Sequence, residues 1–325
     1  MRAIVWTRYG PPEVLQLQEV VKPTPKNDDL LIKIHATTVS AGDCELRSLK
    51  FSIWLRLLMR ILMGLTKPRR KVLGQELAGE VEAVGKDVIL FKKGDQVFGT
   101  TGFGFGAYAE YICLPEKSRG KALAIKPSNM TYEEAAAVPT GGLEALHYLR
   151  KAGSLSGRRI LINGAGGGMG TFAVQLAKYF GAEVTGVDST GKLDLLHSIG
   201  ADRVIDYTQE DFTKRGETYD VIFDVVGKSS FSDSVAALSE DGRYLLGNPR
   251  LSTMVRGLWT STKGGKKVIF GASSQKTEDL VFLRQLIEAG RIRSVIDRRF
   301  PLERIPEAHR YVEAGLARGK VVITL

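Results

Sequence analysis

Apolar positions in the first 127 residues come in short runs broken by turn residues. Residues 3–6, 29–36, 77–84 and 96–99 read as strands, rich in Val, Ile and Leu. Between them stand Gly10-Pro11-Pro12, Pro23-Thr24-Pro25, Gly85-Lys86-Asp87 and Lys93-Gly94-Asp95, which favour turns over continued pairing. This texture predicts an all-β, barrel-like unit. Near residue 130 the period changes. Thr131 and Glu134 have capping-box spacing ahead of the apolar run 135–138. From residue 158 strands and helices alternate. Strands are expected at 159–163 and 183–188, and helices at 169–180, with Phe172, Leu176 and Phe180 on one face, and at 193–199, stopped by Gly200. Further apolar runs at 204–205, 221–226, 244–246 and 268–270 extend the series into a parallel sheet covered by helices. Beyond residue 271 two helical patterns precede a last strand, 321–325, expected to return to the first domain. The fold class is α/β: a β-barrel domain over 1–127, a doubly wound parallel-sheet domain over 128–270, and a C-terminal segment over 271–325.

Composition narrows the chemistry. With 43% hydrophobic and 25% charged residues among 325, the chain has enough apolar surface to fold, which excludes disorder over most of its length. Cys44 and Cys113 are its two cysteines, so a disulfide framework and a four-cysteine zinc site are both excluded. The net charge of +10 favours anionic partners without choosing among nucleotides, nucleic acid and acidic membranes. The N-terminal segment reads as a strand rather than a signal peptide. The longest apolar stretch, 51–65, contains Arg56 and Arg60 and falls short of the about 20 residues that span a bilayer. A cytoplasmic protein is the expectation.

The strongest chemical signal is Ile160-Leu161-Ile162-Asn163-Gly164-Ala165-Gly166-Gly167-Gly168-Met169-Gly170. A strand, a glycine loop and an amphipathic helix follow in the order a pyrophosphate site needs. Glycines let the backbone approach closely, and free N–H groups at a helix N-terminus favour an anion. Ala165 breaks the strict G-x-G-x-x-G register, so context carries the reading. Gly164, Gly167, Gly168, Met169 and Gly170 are therefore the candidate diphosphate cradle. Asp188 closes the second strand, where an acid accepts from an adenosine ribose and favours NAD. Ser189, Thr190 and Lys192 follow and suit a 2′-phosphate, which favours NADP; simple helix capping by Ser189 and Thr190 is the alternative. Gly186 to Lys192 imitates a P-loop, but Leu193 stands where Ser or Thr would be required.

These motifs resemble the medium-chain dehydrogenase/reductase superfamily, and within it the zinc-independent, zeta-crystallin-like quinone oxidoreductases. The resemblance runs along nearly the whole chain: the stretch from Leu73-Gly74-Gln75-Glu76 to Val81, Gly94-Asp95-Gln96-Val97, Gly106-Ala107-Tyr108-Ala109-Glu110-Tyr111, Val138-Pro139-Thr140-Gly141, Gly200-Ala201-Asp202, residues 219–227 and Gly319-Lys320-Val321-Val322. It implies a GroES-like catalytic domain over 1–127, completed by 271–325, a Rossmann NAD(P)-binding domain over 128–270, a site in the cleft between them, and a homodimer. It also implies cofactor contacts at Thr140, Tyr207, Val226, Gly227, Gly247, Asn248, Phe270, Gly271 and Lys320, and a substrate- or cofactor-orienting role for Asp43. Plain sheet packing is the alternative for the apolar members. Capping of a helix that begins near Cys44 is the alternative for Asp43.

Zinc-dependent relatives place a cysteine, a histidine and a second cysteine on the metal. Cys44, Gln75 and Ala136 occupy those positions here, so one ligand of three remains and no zinc is expected. His35, His147, His197 and His309 show no ligand spacing. Cys44 is either a reactive thiol or an inert buried one. The resemblance favours NADP(H), while Asp188 keeps NAD(H) open. The implied activity is hydride transfer to a small, lipophilic, electron-poor acceptor, a quinone or an α,β-unsaturated carbonyl. An enoyl-thioester reductase of the same fold is the first alternative. A cofactor-binding scaffold or nucleic-acid-binding protein is the second, and no specific nucleic-acid motif supports it.

Residues 47–74 are longer and more apolar than the family core. Phe51, Trp54, Leu55, Leu58, Ile61, Leu62 and Leu65 recur at helical spacing before the basic run 67–71, and residues 254–267 form a similar patch. Three readings stay open, in this order of preference: helices packed over the core, an apolar lid over the substrate, and peripheral attachment to a membrane surface.

Overall fold

The computed structural model describes residues 1–51, 53–117, 120–271, 273 and 275–325, with the side chains of Trp54 and Lys263 outside the described set. β1 (Arg2–Trp6) and β2 (Leu15–Glu19) form an antiparallel ribbon. β3 (Asp29–Val39), α1 (Ala41–Ser48), α2 (Ile53–Met63), β4 (Glu76–Val84), β5 (Gln96–Thr100), β6 (Tyr111–Pro115), β7 (Ala122–Ile125) and α3 (Tyr132–Ala136) follow. The middle of the chain is α4 (Pro139–Lys151), β8 (Arg159–Asn163), α5 (Gly170–Tyr179), β9 (Glu183–Asp188), α6 (Leu193–Ser198), β10 (Arg203–Asp206), β11 (Tyr219–Asp224), α7 (Phe231–Ala236), β12 (Leu238–Leu246), α8 (Leu251–Lys263) and β13 (Lys267–Ile269). The remaining elements are α9 (Thr277–Glu288), β14 (Ile296–Pro301), α10 (Ile305–Glu313) and β15 (Lys320–Thr324).

The chain divides into two compact units. The first comprises Met1–Thr140, Gln275–Glu288 and Ser294–Leu325, and the second Gly141–Ser274 and Ala289–Arg293. In the first unit the strand order is β14-β15-β3-β4-β5-β7, with β6 also paired to β3. Leu30, Ile32, Ile34, Leu77, Val81 and Val97 fill its core. β15 lies between β14 and β3.

The division falls after Thr140 and not after residue 127. Thr131 and Glu134 do form a reciprocal capping box. The short α3 that they start packs on β3, β4 and β15. Ala135 and Ala136 are fully buried there, and Tyr132 stacks on His35 at 4.4 Å. Residues 289–293 depart from the tail and join the second unit, where Arg293 N–H donates to Gln175 Oε1 at 2.9 Å.

The second unit is an all-parallel sheet in the order β10-β9-β8-β11-β12-β13. Its central strands β8 and β11 are buried on both faces and read as continuous apolar runs; Ile160, Leu161, Ile162, Val221, Ile222 and Phe223 are fully covered. The order reverses between β8 and β11. In open sheets of this kind the loops beyond the carboxyl ends part there and leave a crevice.

The two apolar segments are helices, but packing accounts for little of them. Phe51, Met59 and Met63 rest on the first unit's core. Ile53, Leu57, Leu58, Ile61, Leu62 and Leu65 are between 51% and 69% exposed. In α8, Leu251, Val255, Leu258 and Trp259 are similarly open.

Candidate functional site

The glycine loop joins β8 to α5 in the second unit. Gly164 has φ +86, a backbone state that L side chains avoid, and a Cβ there would lie 2.3 Å from Val226 Cγ2. Its N–H and that of Ala165 both donate to Val187 O, which ties the loop to β9. Gly170 has a structural reason: a Cβ would meet Gly164 O at 2.1 Å, so only glycine lets α5 pack this closely. Gly167 differs. Among the described residues a Cβ there would find only Gly164 O, at 3.6 Å, so its missing side chain leaves space above the loop. The Gly167 N–H is directed at Gly164 O at 3.3 Å, contrary to the expectation that it faces a ligand. The N–H groups of Gly168 and Met169 have no hydrogen-bond partner among the described residues. Both amides stand at the start of the ten-residue α5, where backbone N–H groups favour an anion.

Asp188 ends β9 beside this loop and is almost fully buried. Its carboxylate accepts from Gly166 N–H at 2.8 Å and Ser189 N–H at 2.9 Å, and Lys192 Nζ stands 3.4 Å away. A Cβ at Gly166 would meet Lys192 Cδ at 2.7 Å, so the lysine stem lies across the glycine loop. Ser189 and Thr190 make no side-chain cap of the following helix; Thr190 Oγ1 donates instead to Asp206 Oδ2 at 2.5 Å. Tyr207, just beyond β10, is 59% exposed and donates its N–H to Asp188 O. Asp188, Ser189, Lys192 and Tyr207 therefore share one corner of the sheet's carboxyl edge.

The other expected residues lie farther along that edge. Val226 and Gly227 follow β11, Gly247 and Asn248 follow β12, and Phe270 and Gly271 follow β13. Gly227 takes φ +68, and a Cβ would clash with Asn248 O at 2.4 Å. Phe270 packs against the sheet core, which supports the packing alternative for its ring. Tyr148 of α4 donates to Gly271 O at 2.8 Å and fixes that end.

The organising residue of this edge is one that sequence reasoning missed. Asp224 is 1% exposed and accepts from Asn163 Nδ2, Val226 N–H, Gly227 N–H, Ser229 Oγ and Tyr244 OH at 2.6 to 3.2 Å. It binds β8 to β11 across the switch point and shapes the turn after β11. The signal was present: an acid at the end of an apolar strand, three residues before a glycine.

In the first unit, Glu76 of β4 is buried. It accepts from Thr38 Oγ1, from Thr140 N–H at 2.7 Å and from Lys320 Nζ at 2.5 Å. Lys320 was expected at the cofactor; its ammonium is 6% exposed and paired with Glu76. Thr140 is held at the start of α4 by its backbone. Its hydroxyl is buried with no partner among the described residues.

Asp43 and Cys44 are both buried at the start of α1. Asp43 is the third residue of α1; its carboxylate accepts from Ser40 N–H at 3.0 Å and Ser40 Oγ at 2.6 Å, and Ser40 Oγ accepts from Asp43 N–H. This is the capping role, at 1% exposure. Burial raises its pKa to about 6, against the hydrogen bonds from Ser40. Cys44 Sγ lies 3.3 Å from His309 Nδ1 inside the core. Burial, then the Asp43 and Glu313 carboxylates, push the thiol far up, so it supplies no thiolate. Burial, with Arg47 nearby, holds His309 neutral, its pKa pulled down to about 3.

The zinc positions do not fit a metal. Cys44 faces His309, Gln75 offers an amide, and Ala136 has no donor. Among the described residues no group of His, Cys, Asp or Glu is arranged to hold an ion.

Comparisons with known proteins agree with the fold. Residues 26–125 match the family described as alcohol dehydrogenase GroES-like domain, and residues 199–323 match zinc-binding dehydrogenase. The chain is 36% identical to 2-methylene-furan-3-one reductase of Solanum lycopersicum, covering 99% of this chain and 79% of that one. It is 32% identical, with the same coverage, to a chloroplastic NADPH-dependent alkenal/one oxidoreductase of Arabidopsis thaliana. The solved quinone oxidoreductase from Coxiella burnetii superposes with a TM-score of 0.88 at 30% identity, covering 100% of this chain and 99% of that one.

Proposed function

Because the chain belongs to the medium-chain dehydrogenase/reductase superfamily, in its quinone oxidoreductase branch, we propose that it is an NADPH-dependent reductase of quinones or α,β-unsaturated carbonyls that works without zinc. The observation that carries this reading is that the Gly168 and Met169 amides have no hydrogen-bond partner among the described residues, beside the side-chain-free Gly167 at the switch point of a parallel sheet. A nicotinamide coenzyme bound along this edge supplies a hydride to an acceptor.

The chain's own groups hold and orient. Gly168 and Met169 donate to the diphosphate. The nest around Asp224 fixes the backbone of Val226 and Gly227 against the ribose at the nicotinamide end. Asp188 is engaged by Gly166, Ser189 and Lys192, so it is not free to accept from two ribose hydroxyls. Lys192, the Ser189 hydroxyl and the exposed Tyr207 suit a 2′-phosphate, and this supports NADPH over NADH. The names of two relatives, one an NADPH-dependent alkenal/one oxidoreductase, support the acceptor class. Quinones and enones are electron-poor already, so orientation and exclusion of water suffice where a simple ketone needs a Lewis acid.

Coenzyme oxidation followed with a panel of quinones, 2-alkenals and enoyl thioesters tests the proposal. Turnover of the first two with NADPH, in protein carrying no stoichiometric zinc, is expected. Tight coenzyme binding with no acceptor reduced would favour the scaffold reading, and a zinc-dependent rate would overturn the metal-free one.

A further inference from the structure

From the first unit's surface we infer that α2 and the basic segment after it dock on an anionic lipid bilayer, with a lipid phosphate seated among Arg70, Lys71 and Lys121. The helix has a packed edge and an open face. Met59 and Met63 rest on the core, Tyr9 OH donates to Gly64 O at 2.8 Å, and Arg69 N–H donates to Met63 O at 2.7 Å. These contacts hold α2 by one side. At 3.6 residues per turn, Ile53, Leu57, Ile61, Leu58, Leu62 and Leu55 fall on one arc of roughly 200°. All six are at least 42% exposed. Arg56 and Arg60 lie together at the margin of this arc, between it and the packed edge.

Charge selects the occupant. No Asp or Glu occurs between Glu45 and Glu76. Arg56, Arg60, Lys67, Arg69, Arg70 and Lys71 are all exposed, and none forms an ion pair among the described residues. A second copy of the chain placed on the same face would oppose these cations to themselves across a two-fold axis. An anionic bilayer accepts both features, because apolar side chains enter the acyl boundary while the arginines and lysines meet the headgroups.

A groove of about 320 Å³ continues the basic run. Arg70, Lys71 and Lys121 line it over an apolar floor that includes Phe105, Ile112 and Leu114. Gly104 makes room: a Cβ there would meet Lys121 Cε at 3.2 Å and Nζ at 3.4 Å. Cations over an apolar floor match a phosphate ester carrying a hydrocarbon chain.

The test is co-sedimentation of the whole protein with vesicles of phosphatidylcholine alone and of phosphatidylcholine mixed with phosphatidylglycerol. Binding is expected only to the mixed vesicles, at roughly tenfold higher bound-to-free ratio, and is expected to fall as salt rises from about 0.1 M to 1 M. Leu58→Glu with Ile61→Glu should abolish it, and Arg70→Glu with Lys121→Glu should weaken it, both with coenzyme binding retained. Glycerol phosphate in solution should not compete; full competition would mean that the groove takes a free phosphate and that α2 does not dock. Equal binding to both vesicle types, or unchanged binding by Leu58→Glu with Ile61→Glu, overturns the proposal. So does conversion of an oligomer to monomer by that variant while vesicle binding persists. Hydrogen exchange on the unmodified protein gives a second readout: added mixed vesicles should protect residues 53–71, and protection confined elsewhere overturns it.

Discussion

Lys320 Nζ lies 2.5 Å from Glu76 Oε2, although 244 residues separate the two in the chain. The side chains are 6% and 2% exposed. Thr38 Oγ1 and Thr140 N–H also donate to the carboxylate, so the ion pair gathers β3, β4, β15 and the start of α4.

Lys320→Met leaves that carboxylate buried without its cation. Such a change typically costs about 3–5 kcal/mol. Adding Glu76→Gln should recover most of the loss, since a neutral amide needs no counter-charge. Urea unfolding of the single and double variants measures both effects, and a Lys320→Met within about 1 kcal/mol of the parent would show that the pair is not coupled as described.

Asp43 and His309 make stability depend on pH with opposite signs. The folded pKa of Asp43 is raised from 3.8 to about 6, so the folded state holds more protons than the unfolded chain across that window and stability falls as pH rises through it. His309 is lowered from 6.5 to about 3, so the unfolded chain holds more protons there and stability falls as pH drops. Asp43→Asn should match the parent below pH 4 and exceed it by about 3 kcal/mol at pH 7. His309→Gln should remove the acid-side loss. Chemical denaturation from acid to neutral pH checks both, and parallel curves for parent and variants would contradict the assignment.

Gly167 and Gly170 should behave differently although they belong to one motif. Gly167→Val puts a side chain where the structure has space, so unfolding should shift little while coenzyme affinity drops at least about tenfold, roughly 1.4 kcal/mol. Gly170→Ala forces a contact of 2.1 Å with backbone and should reduce folded yield instead. Calorimetric titration beside thermal unfolding separates the two, and equal affinity for Gly167→Val would mean the diphosphate lies elsewhere.

Lys192→Met should weaken NADPH by about tenfold or more and leave NADH unchanged or improved, because a charge-assisted contact to a 2′-phosphate is lost. An equal loss for both coenzymes would place the lysine's effect on the loop through Asp188 rather than on the phosphate.

Local signals were the legible ones. The strands 159–163 and 183–188, the helix after the glycine loop and the Thr131–Glu134 cap each depend on neighbours within a few residues, and the structure has them at those places. β14 was not legible: Ile296–Pro301 reads IDRRFP, with no alternation, because it is an edge strand with side chains open to water. The partners of Cys44 and Lys320 lie 265 and 244 residues away, beyond the reach of any periodicity. That is why neither the lysine's ion pair nor the cysteine's histidine neighbour could be read from the sequence. Asp43 carried its capping signature in Ser40-Ala41-Gly42-Asp43, and family resemblance competed with it.

β15 sits between β14 and β3, inside the first unit's sheet and not at its rim. During synthesis the second unit has all its residues once Arg293 has emerged, while the unit begun at residue 1 waits for Lys320 to Thr324. Until then β3 has an open flank over Ala36 to Val39 and Glu76 lacks its counter-ion, so the last strand completes both the sheet and its buried ion pair.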